Sequence, residues 1–301
     1  MINDLINNEN IKTLYIISTN YTVLFAQRLR DYLKTFDIRC VIYSNIYHSL
    51  ILKAQKDKNL YLLFVGTITL INENITYLPP NKYIIYQIEQ LNQNKFCYNS
   101  LSQNMINLML TSYAIYDYSI VNLDYYPAFM RSIVKIVIPY IPYNPYNPYN
   151  PYNPYNPYNP YNFQILENDL REDNKKNILF IGTLNERRTI ILNNLKNHIV
   201  SQNLDYNLII FQKLFNNELK ELLKSCSYVL NLHYYDNAIL EVFRFEDVIP
   251  YNVKILSEEP GNKSEDYLIN IYQKNNFVDF FPVIEENNDF NNIQYLYDLL
   301  I

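Results

Sequence analysis

The chain has 301 residues, of which 49% are hydrophobic, which is enough for one large domain or two domains of ordinary size. Its formal net charge of −5 provides no basic surface, so nucleic acid is not an expected partner. No apolar run approaches the roughly 18 residues that cross a bilayer, and the N-terminal segment is polar. The sequence therefore predicts a cytoplasmic protein without a transmembrane segment.

In the first part of the chain, short apolar runs alternate with segments whose apolar residues recur every three or four positions. The runs cover residues 13–18, 38–43, 61–66, 83–87, 114–119 and 134–138, and the predicted helices cover 23–36, 49–57, about 100–112 and a segment between 119 and 134. Near-continuous apolar strands that alternate with helices are typical of a parallel sheet covered on both faces.

A perfect repeat follows, in which Pro-Tyr-Asn occurs seven times over residues 142–162. A proline at every third position fixes φ and removes a donor each time, so polyproline II or a series of open turns is expected. The repeat is interpreted as a spacer. The alternative is a recognition tract, because the Pro-x-x-Pro register places the prolines on one edge of the helix.

The alternation then resumes in the second part of the chain. Predicted strands cover residues 177–182, 207–211, 227–232 and 253–256, and predicted helices cover about 185–200, 217–225 and a segment that begins near Ile239. The expected fold is therefore α/β, with two Rossmann-like domains at 1–141 and 163–301 joined by the repeat. Ligands of such domains bind in the cleft outside the carboxyl ends of the strands.

Several common sites are absent from the sequence. The three glycines, Gly66, Gly182 and Gly261, are too far apart for a Walker loop or a dinucleotide fingerprint. The three cysteines have no metal-type spacing, and no Asp-x-Asp, His-Glu-x-x-His or Gly-x-Ser-x-Gly motif occurs. Neither a metal nor another cofactor is expected, and hydrolase activity has little support.

The first candidate site lies where the strand that ends at Gly182 turns into a helix, with Asn185 as the expected N-cap. Arg187 and Arg188 fall in the first turn of that helix, where a cation opposes the helix dipole. An anionic ligand at this helix end would remove the conflict. The alternative is two solvated arginines on a surface helix.

The second candidate site follows the predicted strand at 227–232. It comprises a polar loop at 233–237 and the helix after that loop. Glu241 and Arg244 are three residues apart, so they lie on one helix face. Glu241 is a candidate ligand for a ribose diol, and Arg244 is a candidate partner for that carboxylate or for a phosphate. The alternative is a plain salt bridge within the helix.

The order of "ILFIGTLNERR" (178–188), "LNLHYYDNAILEVFRF" (230–245) and "ILSEE" (255–259) resembles the donor-binding domain of GT-B glycosyltransferases, and in particular family-one-type members found in bacteria and giant viruses. In the first half, "YIIYQIEQL" (83–91), "AIYDYSIVN" (114–122) and "KIVIPYIPY" (135–143) are similar to the N-terminal domain of that group. The resemblance covers most of the chain, although each motif is short.

The resemblance implies a hexosyltransferase-type enzyme that moves a sugar from a nucleotide-diphosphate sugar to a hydroxyl acceptor. It implies that Glu241 binds ribose, and that Gly182, Arg187, Arg188 and Arg244 belong to the donor site without a metal. If the chain is viral, its compartment is the host cytoplasm.

Two departures from the family pattern limit what the resemblance implies. Many retaining members carry a second glutamate eight positions before the ribose-binding one, whereas this chain carries His233, a candidate catalytic residue. His233 either faces the sugar or is a buried, hydrogen-bonded loop residue. The glycine-rich loop of the N-terminal domain is also absent from "IISTNYTV" (16–23), so no acceptor residues are assigned. The alternatives to an enzyme are an inactive GT-B-like protein that binds nucleotide sugar or glycan, and a scaffold whose repeat is the working part.

Overall fold

The computed structural model describes residues 2–67, 70, 75–91, 101–137, 176–214, 216–234, 238–274, 276, 278–284 and 292–300. The chain forms two compact units, Met1–Asn162 and Phe163–Ile301. The repeat at 142–162 and the domain limits expected at 141 and 163 lie outside the described residues, so they stay predictions.

The first unit contains a six-stranded sheet in which every strand pair is parallel. Its strands are β1 (Thr13–Ser18), β2 (Arg39–Tyr43), β3 (Leu60–Val65), β4 (Tyr83–Gln87), β5 (Ala114–Asp117) and β6 (Val134–Ile136), in the order β2-β1-β3-β4-β5-β6. Its helices are α1 (Ile2–Ile6), α2 (Val23–Lys34), α3 (His48–Lys56) and α4 (Gln103–Thr111). All residues of the central strands β3 and β4 are buried, as expected for a sheet covered on both faces.

The helix expected between 119 and 134 is absent, and two 3₁₀-helices, Val121–Tyr125 and Ala128–Met130, take its place. Pro127 lies between them, and it lacks the N–H that an α-helix would need there. The preceding residue, Tyr126, is extended, which is the conformation that a following proline favours. The expectation of one helix was therefore wrong because Pro127 divides the segment.

The second unit contains a five-stranded sheet, which is also parallel throughout. Its strands are β7 (Lys176–Ile181), β8 (Tyr206–Phe211), β9 (Tyr228–Asn231), β10 (Lys254–Glu258) and β11 (Val278–Phe281), in the order β11-β10-β9-β7-β8. Its α-helices are α5 (Glu186–Ser201), α6 (Asn216–Ser225), α7 (Val242–Val248), α8 (Asp266–Lys274) and α9 (Ile293–Asp298); two 3₁₀-helices, Ile249–Tyr251 and Lys263–Glu265, flank β10.

The α/β class with two Rossmann-type parallel sheets is confirmed, as the GT-B-like resemblance implies. Because the strands are parallel, the carboxyl ends of β7, β9, β10 and β11 meet at one edge of the second sheet. The residues singled out from the sequence of this unit follow β7 and β9 at that edge. None of the helices formed by the described residues is long and apolar enough to span a bilayer.

Candidate functional site at the carboxyl edge of the second sheet

The start of α5 is built as the sequence predicts. The side chain of Asn185 caps the helix, since its Oδ1 accepts the backbone N–H of Arg188 at 2.9 Å. Its Nδ2 donates to the carbonyl of Tyr234 at 2.7 Å. Asn185 therefore also ties the start of α5 to the loop that follows β9.

Arg187 lies under this edge of the sheet and is 1% exposed. Its Nη1 donates to the carbonyl of His233 at 2.8 Å and to Glu258 Oε2 at 3.2 Å. Its Nη2 donates to Glu258 Oε1 and to the carbonyl of Ile284, the latter at 2.8 Å. Both Nη groups are thus used by protein acceptors, so the alternative of a solvated arginine is wrong.

Glu258, the last residue of β10, connects the loops around it. Besides the bidentate pair with Arg187, its Oε2 accepts the N–H of His233 at 2.6 Å and its Oε1 accepts the N–H of Ile284 at 2.8 Å. One buried carboxylate therefore joins the residues that follow β9 and β11 to the first turn of α5. Glu258 lies in "ILSEE" (255–259) but was not predicted to have a role; its one signal in the sequence is a carboxylate at the end of an apolar strand.

Arg188 is also buried, with 2% exposure, so it is not solvated either. Its Nη1, Nε and Nη2 donate to the carbonyls of Thr183, His233 and Leu232, respectively. The guanidinium lies over the ring of Phe180, with its central carbon 5.5 Å from the ring centroid, and a similar contact joins it to Tyr234. Burial, partly offset by the charge of Glu241, lowers its pKa to about 10, so Arg188 stays protonated at neutral pH.

Gly182 provides the space in which the guanidinium of Arg188 lies. A Cβ at this position would stand 3.0 Å from Arg188 Nη1 and 3.3 Å from the ring of Phe180. The observed role of Gly182 is therefore to admit Arg188, and its contact with a donor stays a prediction.

Glu241 and Arg244 form a charged pair that is partly exposed to solvent. Arg244 Nη1 lies 2.9 Å from Glu241 Oε2, and Arg188 Nη2 lies 3.7 Å from Glu241 Oε1. The side chain of Glu241 is 32% exposed and that of Arg244 is 26% exposed. Burial opposes ionisation of Glu241, but Arg244, Arg188 and His233 outweigh it, so its pKa is lowered. The salt bridge that the sequence offered as an alternative is present, and it leaves Glu241 partly open to solvent.

The helix carrying Arg244 begins at Val242, three residues later than expected, so Glu241 is the residue that precedes the helix. Arg244 is held in turn by Asn231 at the end of β9, whose Oδ1 accepts from Arg244 Nη1 at 2.7 Å. Asn231 Nδ2 donates to Ser257 Oγ at 3.0 Å, so β9 and β10 jointly fix the arginine. Asn231 was not identified from the sequence.

His233 is fully buried, and its Nε2 lies 2.8 Å from the carbonyl oxygen of Glu259. Because a carbonyl accepts only, Nε2 is the donor in this hydrogen bond. Nδ1 is buried and has no hydrogen-bond partner among the described residues. The ring is thus a buried, hydrogen-bonded loop residue as one alternative expected, while a sugar contact of Nδ1 stays a prediction.

The structure brings Gly182, Arg187, Arg188, His233, Glu241 and Arg244 together at one edge of the sheet. Within the part of the chain that the structure describes, no group of three His, Cys, Asp or Glu side chains could hold a metal ion.

No protein family model matches the chain, and no curated protein matches it. One similar solved structure, assigned as a UDP-N-acetylglucosamine 2-epimerase from Listeria monocytogenes, is 11% identical, with a TM-score of 0.49, and the match covers 96% of this chain and 88% of that chain. Another, the UDP-GlcNAc 2-epimerase from Methanocaldococcus jannaschii, is 7% identical, with a TM-score of 0.40 and coverage of 96% and 92%. At these identities and TM-scores the likeness carries no conclusion about the substrate or reaction of this chain.

Proposed function

We propose that the chain binds a nucleotide-diphosphate sugar at the carboxyl edge of the second sheet and transfers the sugar to a hydroxyl acceptor. The observation that carries the proposal is the partly open Glu241–Arg244 pair, which stands beside a rigid layer of buried charges at the edge where such sheets bind ligands. The resemblance to GT-B donor domains supports the same assignment through the same residues.

Glu241 has the chemistry of a ribose ligand. Its lowered pKa keeps the carboxylate ionised at neutral pH, and an ionised carboxylate only accepts hydrogen bonds. Because Oε2 is buried beside Arg244, we assign Oε1 to the diol, and one carboxylate oxygen has about two lone-pair sites for two hydroxyl donors. A vicinal diol supplies such a pair of donors, whereas a deoxyribose supplies only one.

The three arginines of the site have different proposed roles: one contacts the ligand and two support the site from beneath. Arg244 is partly exposed, so it is the cation that we assign to direct contact with the diphosphate. Arg187 and Arg188 are enclosed, and we assign them the role of fixed charges beneath the site that also hold the strand-end carbonyls in place. Preorganised cations of this kind stabilise a leaving diphosphate because they need no reorganisation as charge develops.

A catalytically inactive binding protein is the second candidate. The observation that favours it is His233, which occupies the position of a glutamate in many retaining relatives and whose ring is fully buried. In the enzyme hypothesis, Nδ1 of His233, which has no hydrogen-bond partner within the described part of the chain, accepts a hydrogen bond from the sugar.

Two measurements test the proposal. In a thermal-shift panel of UDP-, GDP- and TDP-sugars, a ligand at 100 times its dissociation constant adds about 2.7 kcal/mol to stability, so a cognate donor raises the midpoint clearly. If none of these nucleotide sugars raises the midpoint, the proposed donor site is wrong. Turnover of the radiolabelled cognate donor, with product analysis, then separates an enzyme from a binding protein, because only an enzyme releases or transfers the labelled sugar.

A further inference from the structure

The backbone that carries Glu241 does not belong to the sheet or to α7. Residues 238–241 lead into α7, and hydrogen bonds with the segment after β10 help to hold them. The N–H of Gly261 donates to the carbonyl of Ala238 at 2.9 Å, and the N–H of Leu240 donates to Glu265 Oε2 at 2.9 Å. The backbone that leads to Glu241 is thus held in part from outside its own strand and helix.

Glu265 is an unusual residue for this place because its side chain is fully buried. A buried carboxylate is costly unless hydrogen bonds compensate it, and an apolar residue would avoid that cost. Leu240, whose N–H Glu265 accepts, is itself fully buried. The hydrogen bond to Leu240 is therefore a specific reason for a carboxylate at position 265.

Leu240 directly precedes Glu241, and the side chain of Glu241 makes no capping hydrogen bond to α7. The carbonyls of Leu240 and Glu241 accept the N–H groups of Val242 and Arg244, each at 2.9 Å, so the helix start holds this backbone on one side. The bond from the Leu240 N–H to Glu265 holds it on the other side, one residue before Glu241. If the Leu240–Glu265 hydrogen bond is lost, the carboxylate of Glu241 moves relative to Arg244. The guanidinium of Arg244 is separately fixed by Asn231.

We propose that Glu265 is a positioning residue of this site, which holds Glu241 at the place where its carboxylate accepts both hydroxyls of a ribose. The inference rests on the proposed function, since it gives Glu265 the task of making the site selective for ribonucleotides. Glu265 itself touches no ligand.

The test compares the full-length wild type with three variants of Glu265, using UDP and GDP and their 2′-deoxy forms as probes. The readout is the ratio of the dissociation constants of the deoxy and ribo forms. A hydrogen bond to a charged acceptor corresponds to about a tenfold ratio or more in the wild type. Glu265→Gln keeps an oxygen that accepts the Leu240 N–H, so it retains the wild-type ratio.

Glu265→Leu removes the acceptor and lowers the ratio to about threefold or less, because Glu241 then engages one hydroxyl at best. Glu265→Asp shortens the side chain by one methylene, so we expect it to lower the ratio of dissociation constants as well. If the Leu variant does not fold, the Asp variant replaces it in the test. The matched control is Tyr272→Phe, which removes a buried hydrogen bond to Glu246 in α7 and keeps the Leu240–Glu265 hydrogen bond.

The outcomes separate this inference from the proposed function. A wild type that binds neither UDP nor GDP overturns the proposed function, and the inference falls with it. A wild type that prefers the ribo forms, together with folded Leu and Asp variants that keep the same preference, overturns the inference alone. An equal loss of preference in Tyr272→Phe also overturns it, because general loosening would then explain the result.

Discussion

Arg187 and Glu258 form a bidentate ion pair in which the two side chains are 1% and 0% exposed. Glu258 also accepts two backbone N–H groups, and Arg187 also donates to two backbone carbonyls. Each ion is therefore compensated by several hydrogen bonds, which a buried pair needs in order to offset its desolvation.

Replacing Arg187 tests this arrangement. Arg187→Ala leaves Glu258 buried without its counter-ion, so we expect the free energy of unfolding to fall by about 3–5 kcal/mol. Urea denaturation measures the change. The control is Lys224→Ala, which breaks the exposed Lys224–Glu221 pair and costs less than about 1 kcal/mol. Equal, small losses in both variants would show that Arg187 is more weakly coupled to the fold than its contacts indicate.

Gly182→Ala places a methyl group against the guanidinium of Arg188, 3.0 Å from Nη1. Because the neighbouring carbonyls hold Arg188, we expect the added group to force a shift and to destabilise the chain by about 1–3 kcal/mol. The same denaturation measurement checks it. An unchanged midpoint would mean that Arg188 can move away without loss.

Asp117 gives the first unit a pH-dependent stability. Burial raises its pKa to about 7, although hydrogen bonds from Ser119, Asn122 and Tyr126 oppose the change. A carboxyl whose folded pKa lies above its unfolded value of 3.8 binds protons more tightly in the folded state. The stability that it contributes is thus present at low pH, decreases as pH rises from about 4 to about 7, and is constant above that window.

The comparison of wild type with Asp117→Asn isolates this effect, because the other titrating groups are common to both. We expect the wild-type stability, relative to that of the variant, to fall with a slope of up to about 1.4 kcal/mol per pH unit in this window. Urea unfolding at pH 5, 6, 7 and 8 measures it. A difference that stays constant from pH 5 to pH 8 would mean that Asp117 keeps one protonation state throughout.

The repeat at 142–162 is predicted to act as a spacer, so its length matters more than its sequence. A Gly/Ser segment of equal length should leave the unfolding midpoint and donor binding unchanged, since doubling a loop costs only about 0.6 kcal/mol. Loss of activity or of a captured partner, with both units folded, would identify the repeat as a recognition element.

Local patterns predicted most strands of both sheets, because runs such as "YIIYQ" (83–87) are apolar enough to be buried on both faces. They did not predict β11, α8 or α9, because these C-terminal elements are short. In α8, however, Leu268, Ile271 and Tyr272 have helical spacing, so this signal was present in the sequence. The late start of α7 was also missed, because residues 238–241 are held by Gly261 and Glu265, more than twenty positions away.

The candidate residues of the site could be named from the sequence, but their environment could not. Arg187 and Arg188 appear in a polar stretch that favours a surface position, and the sequence does not show that Glu258 and the strand-end carbonyls enclose them. Such pairings depend on which strands lie side by side, and here β9 lies between β7 and β10.

The central claim is that Glu241 binds the ribose of a nucleotide-diphosphate sugar, and calorimetric titration of Glu241→Gln tests it most directly. The account predicts that the wild type binds the ribonucleotide about tenfold more tightly than its 2′-deoxy analogue, and that the variant, with its fold preserved, loses most of this preference. Equal affinities of the wild type for the two nucleotides would contradict the account.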